Sequence, residues 1–272
     1  MNNKISLALS VLSLALLQAC GGGGGDSQSA NTLETNAPPT NGAPTQTNTG
    51  SVTAAFVRGD LSRYLLAGVG SQISGRLTTS VQAEGGAMTT LNSNVLSGTT
   101  SVREINGNGS YAMGRWAAGT VVTSTGARTL TGTDNQAYHY IAFNALGALP
   151  VSGSATCDAG VFTAPTYSGG GTSTVASGSA SGSATLAFGA AGAIVGGTVN
   201  VTASGSGGSA PLSTTIPSPT SAGVTGAYLS SGTGAYVQIG DAGSNAYVVV
   251  TSYVATLANG ARYIGVARFR CS

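Results

Sequence analysis

The chain has 272 residues, 43 of them glycine; only 7% are charged, and the formal net charge is +2. So little charge among so many small residues argues against an architecture of long amphipathic helices and against a charge-solvated disordered chain. The arginines are scattered and form no basic stripe, so nucleic acid is not an expected partner.

In chain order, the first signal is Lys4 followed by an apolar stretch over 5–17 and the run Leu17-Gln18-Ala19-Cys20. A basic start, a short apolar region and small residues before a cleavage point make a secretory signal. The stretch is short for a membrane span, which needs about 20 apolar residues. The run ending in Cys20 resembles the lipobox of bacterial lipoproteins. That resemblance implies a signal peptide over 1–19, a mature chain beginning at a lipidated Cys20 that carries palmitate-type acyl groups, and the bilayer as one partner. Gly21 stands where an aspartate would retain such a protein on the inner membrane, so outer-membrane anchoring is implied. Residues 20–50 are Gly, Ser, Asn, Thr and Pro with almost no large apolar side chain, which predicts a disordered tether.

Beyond the tether, apolar residues recur with period two between glycine-rich turns, the pattern of short antiparallel strands. Residues 51–108 contain strand-like stretches at 54–57 and 73–81, read either as a small subdomain or as extra strands. From 109 to the C-terminus, eight strands are predicted at 110–122, 137–144, 152–163, 182–188, 198–203, 226–239, 246–257 and 262–271. In the fifth, Val199 and Val201 share one face. In the last, Tyr263, Ala267, Phe269 and Cys271 share one face, and Arg262, Arg268 and Arg270 lie on the other with Ile264 and Val266. The expected fold is all-β, an antiparallel up-and-down barrel of about eight strands over 109–272 that leaves no sheet edge exposed.

The order of Gly114-Arg115-Trp116, Tyr138-His139-Tyr140, the run Leu149-Pro150-Val151-Ser152-Gly153-Ser154-Ala155, and Leu186-Ala187-Phe188 before 198–202 resembles surface lipoproteins related to transferrin-binding protein B and factor H binding protein. The glycines after Cys20 fit the same group. The resemblance implies a C-terminal eight-stranded barrel displayed at the cell surface, binding a host protein or an iron or haem carrier. The family's Gly-Phe-Phe-Gly-Pro hairpin is only echoed here, by Gly234-Ala235-Tyr236 and residues 241–245.

Chemistry-bearing residues are few. Cys157 and Cys271, in a chain expected to leave the cytoplasm, predict a disulfide. Two thiols and the single histidine, His139, do not make a tetrahedral zinc set, so no metal site is expected. His139 lies between Tyr138 and Tyr140 and shares its strand face with Ile141 and Phe143, which reads as a core or barrel-mouth histidine. The resemblance keeps haem as an alternative, with His139, Tyr138 and Tyr140 as the candidate ligand-binding residues. Asp134, Asp158 and Asp241 sit in turn-like surroundings, and the glycine runs at 169–171 and 207–208 lack the lysine and helix start of a phosphate loop. Trp116 reads as a core residue beside a snorkelling Arg115. No enzyme signature results. The expected function is a non-enzymatic binding module on a lipid anchor, with recognition by the connections at 123–136, 167–181 and 204–222; a structural or assembly-accessory envelope protein and a small-ligand carrier are the alternatives.

Overall fold

A computed structural model describes residues 45–68, 70–133, 135–171, 177–218, 222–225 and 232–272. Cys20, the signal segment and Asp134 lie outside the described residues. Among those described, the fold is all-β; the one helical element is a 3-10 turn at Glu84–Gly86.

The N-terminal half is a nine-stranded sheet: β1 (Gln46–Val52), β2 (Ser62–Gly68), β3 (Ser71–Arg76), β4 (Ser80–Gln82), β5 (Met88–Leu91), β6 (Asn94–Asn108), β7 (Tyr111–Thr123), β8 (Gly126–Thr131) and β9 (Tyr138–Asn144). The order is β3-β2-β9-β7-β6-β5-β4, with β8 on the free edge of β7 and β1 running parallel to β6. Tyr64, Leu66, Trp116, Tyr138 and Tyr140 form the core on one face of this sheet.

The C-terminal half comprises β10 (Gly153–Thr156), β11 (Val161–Phe162), β12 (Thr166–Gly169), β13 (Ser179–Gly189), β14 (Gly192–Ala203), β15 (Ser206–Pro211), β16 (Thr214–Pro217), β17 (Ala222–Thr225), β18 (Gly234–Gly243), β19 (Ala246–Thr256) and β20 (Arg262–Cys271). β10 pairs with β13, after which the same run of chain crosses to β20, bridging Cys157 to Cys271 and continuing as β11 and β12. β15 and β16 likewise cover successive parts of β14. Counting each broken strand once, eight strands follow one another around a curled, barrel-like shell. β16 lies against β17, and on the same side the amide of Ala258 donates to the carbonyl of Gly207 at 3.1 Å. A side chain at Gly208 could not be accommodated there, because its Cβ would stand 2.1 Å from the Thr256 carbonyl oxygen. Hairpin turns fit the twist of the strands they join: Ser204-Gly205 and Ser244-Asn245 both have positive φ at each residue, the geometry of a type I′ turn.

Val199, Val201, Tyr263, Ala267, Phe269 and Cys271 all face the interior of this shell, as their periodicity predicts. The opposite face of β20 is not solvated. Ile264 and Val266, with Val248, Val250 and Val254 of β19, pack on Leu65, Tyr111, Met113, Ile141 and Phe143 of the first sheet. Burying both faces of β2, β7 and β9 against two cores explains their near-continuous apolar sequences. Arg268 joins this interface, its Nε donating to the Tyr111 hydroxyl at 3.0 Å while Asp158 takes its Nη1.

The position 50/51 falls inside a strand, and 108/109 falls at the end of β6. β1 runs through the first, since a polar edge strand needs backbone partners and no apolar pattern. The second falls in the β6–β7 hairpin, where Asn108 pairs with Tyr111. The segments at 110–122 and 137–144 therefore belong to the N-terminal sheet, and the eight strands of the shell come from 153–271.

Candidate functional site

The residues singled out by sequence converge on β9, where three successive side chains alternate between two cores. Tyr138 and Tyr140 point into the core of the N-terminal sheet. His139 lies on the other face with Ile141 and Phe143, toward the barrel-like half. It is fully buried. Its Nδ1 stands 2.7 Å from the hydroxyl of Thr163 and its Nε2 2.8 Å from that of Thr166. Thr163 is itself fixed by β20, accepting from the Val266 amide at 3.1 Å. Hydroxyls can donate and accept, so either neutral tautomer is satisfied. With both ring nitrogens engaged and no exposed surface, the imidazole presents no open coordination position. Burial, and after it the Arg115 guanidinium, holds its pKa well below the ordinary histidine value.

Arg115 faces His139 across the β7–β9 ladder. Its Nε and Nη2 each donate to a different oxygen of Glu104 at 2.7 Å, a two-point carboxylate contact. Glu104 sits in a bulge of β6 with φ +51, a left-handed conformation costing roughly 1–2 kcal/mol for a residue with a side chain. The bulge aims its carboxylate at the guanidinium, so Arg115 is buried and paired where snorkelling was expected.

On the opposite face, the backbone of Met88 is clamped by two aromatic residues. Trp116 Nε1 donates to its carbonyl at 2.7 Å, and its amide donates to the Tyr140 hydroxyl at 3.1 Å. The two rings lie 5.8 Å apart. Burial raises the Tyr140 pKa far above its usual value. Tyr138 covers Gly68 and reaches a small surface recess beside Thr125 and Arg128, while Tyr140 is fully enclosed.

Cys157 and Cys271 are joined as a disulfide. Two of the three expected recognition connections contain strand among their described residues: 123–136 includes β8, and 204–222 includes β15 and β16. Their Gly-, Ser- and Thr-rich sequences pair through the backbone without apolar alternation. The third contains residues 172–176, outside the described residues. A groove of about 390 Å³ opens between the end of β1 and the 3-10 turn, lined by Val52, Ala55, Gln82 and Glu84 among others. No group of three or more His, Cys, Asp or Glu side chains able to hold a metal is present among the described residues.

Thr163, Thr166 and Glu104 were not singled out from the sequence. No spacing connects them to His139 or Arg115, because the contacts depend on how the two halves pack. Comparisons with known protein families, curated proteins and solved structures find no match.

Proposed function

We propose that this chain is a lipid-anchored outer-membrane protein whose folded part is displayed at the cell surface as a non-enzymatic binding module for a protein partner. The observation that carries the reading is the use to which the buried reactive side chains are put. His139, Arg115, Tyr140 and the cysteine pair each join one strand to another. The interior of the barrel-like half is filled by Phe188, Val195, Tyr253, Tyr263 and Phe269, which favours a protein partner over a small ligand or haem. The lipobox-like run at Cys20 supports the anchor, and the resemblance to transferrin-binding protein B and factor H binding protein supports a host or iron-carrier partner.

The test is made on intact cells. Protease added outside should remove the folded part, and metabolic labelling with a palmitate analogue should mark the wild type and not Cys20→Ser. A chain that is degraded only after the outer membrane is opened belongs to the periplasmic face and to the assembly-accessory alternative. Equal labelling of Cys20→Ser removes the lipid anchor.

A further inference from the structure

Between β1 and β2 the chain crosses the surface, and residues 58–60 of that crossing are Arg58-Gly59-Asp60. All three are exposed, and they are flanked by Val57 and Leu61, 67% and 51% exposed. The backbone of this loop is nevertheless held firmly. The Val57 amide donates to the Gly109 carbonyl at 3.0 Å, and Asn144 Nδ2 donates to the Val57 carbonyl at 3.0 Å. The Gly59 amide donates to Ser62 Oγ at 2.8 Å and to Asn144 Oδ1 at 3.2 Å, and the Ser62 amide closes a turn on the Gly59 carbonyl at 3.2 Å. The strand end that carries Asn144 thus fixes the main chain and leaves the side chains of Arg58, Asp60 and Leu61 in solvent.

Charge is scarce in this protein, and two other opposite-charge pairs are committed, Glu104 to Arg115 and Asp158 to Arg268. Arg58 and Asp60 have neither an ion pair nor a side-chain hydrogen bond among the described residues. The glycine between them is not required by the fold. Its φ is outside the left-handed region, and a Cβ there would meet Asn144 Oδ1 at 3.5 Å, an ordinary contact. A free guanidinium and a free carboxylate flank a residue without a side chain, on a rigid exposed turn.

We propose that Arg58-Gly59-Asp60 is a recognition tripeptide for a cell-adhesion receptor of the integrin type. In such a partner, a receptor-held divalent cation with an open position takes the Asp60 carboxylate, since hard cations prefer oxygen ligands. An acidic pocket takes the Arg58 guanidinium through forked hydrogen bonds. The bare backbone of Gly59 lets the receptor surface approach between them, and Leu61 adds apolar contact beside the carboxylate. Access to such a receptor rests on the surface display proposed above; binding by the purified chain does not.

The full chain, purified in mild detergent, is titrated onto a panel of immobilised RGD-reading integrin ectodomains. Saturable binding is expected in Mn²⁺ with at least one of them, lost on chelation and displaced by a linear Gly-Arg-Gly-Asp-Ser peptide. Asp60→Glu keeps the charge but lengthens the side chain, and it should weaken binding by roughly tenfold or more, as loss of an anchoring contact does. Gly59→Ala should weaken binding too, and both variants should melt with the wild type. Cation-independent binding, binding unaffected by Asp60→Glu, or no binding across the panel overturns the proposal. If the purified chain binds while protease leaves it intact on whole cells, the tripeptide stands and surface display fails. Shaving from cells without binding by the purified chain gives the reverse.

Discussion

The phenol of Tyr140 occupies the space that a side chain at Gly114 would need: a Cβ there would lie 2.6 Å from the tyrosine oxygen. The two residues are direct partners across β9 and β7. The barrel-like half repeats the arrangement, Tyr253 of β19 lying over its partner Gly265 of β20, where a Cβ would be 2.5 Å from the oxygen. In each half an aromatic ring covers a cross-strand glycine and fills a core position from the neighbouring strand.

Gly114→Ala and Gly265→Ala should each destabilise the protein by roughly 1–3 kcal/mol, the usual scale of overpacking. Urea denaturation measures both. The lost space cannot be recovered by a flexible chain end, because the rings are enclosed by core residues. A midpoint equal to the wild type for either variant would show that its tyrosine is free to move aside.

The two hydroxyls differ in their partners, and this separates their deletions. Tyr140→Phe leaves the buried Met88 amide without its acceptor, a loss of about 1–3 kcal/mol. The Tyr253 hydroxyl is buried with no hydrogen-bond partner among the described residues. Tyr253→Phe should therefore leave the midpoint unchanged or raise it. Equal losses in both variants would contradict the assignment.

His139 gives the fold an acid-side sensitivity. Its folded pKa is depressed by burial and then by Arg115, whereas the unfolded value is about 6.5. Unfolding therefore takes up a proton in the window below pH 6.5. The contribution is fully present above that value and is lost as pH falls, by up to about 1.4 kcal/mol per pH unit. His139→Gln should be less stable than wild type at pH 7.5, and the gap should narrow at pH 5.5. Parallel pH profiles for the two proteins would remove the histidine as the source.

The disulfide closes a separation of 114 residues. In the chain-entropy treatment a loop of that size is worth about 4–5 kcal/mol, and for a domain of this size each kcal/mol corresponds to roughly 2–4 °C in Tm. Peptides containing Cys157 and Cys271 should be joined in a non-reduced digest. Reduction should lower Tm by roughly 8–20 °C on these figures, and recovery of free thiols from the oxidised protein would exclude the bond.

Much of the strand content was legible because it is written in period two. Residues 262–271 coincide with β20 and 246–257 with β19 to within a residue, and the face carrying Tyr263, Ala267 and Phe269 is the interior one. What period two does not encode is which sheet a strand joins. β7 and β9 look like barrel strands locally, yet β7 forms a hairpin with β6 and β9 pairs with the distant β2, which places both in the first sheet. The polar strands β1, β8, β15 and β16 were hidden because they lie at edges or in broken positions, where backbone hydrogen bonds substitute for apolar alternation. At the site, His139 was legible as a core residue from Ile141 and Phe143 on its face. Its threonine partners were not, since Thr163 and Thr166 reach it only by the fold of the crossing between β10 and β13.

β1 has a mechanical consequence. Among the described residues it is the only strand joined in parallel in this sheet, most of its residues are exposed, and its one apolar anchor is Val52, lying over Gly86. Any pull transmitted through the chain before Thr45 reaches this strand first. Peeling it from β6 breaks backbone hydrogen bonds in sequence and disturbs little of the core. Beyond it the chain is held again: Thr53 by Gly107, Phe56 by Gln82, Val57 by Gly109 and Asn144, and Gly59 by Asn144 and Ser62. Under such a load β1 is the element expected to part first, while the hydrogen bonds of Val57 and Gly59 keep the loop carrying Arg58 and Asp60 in shape.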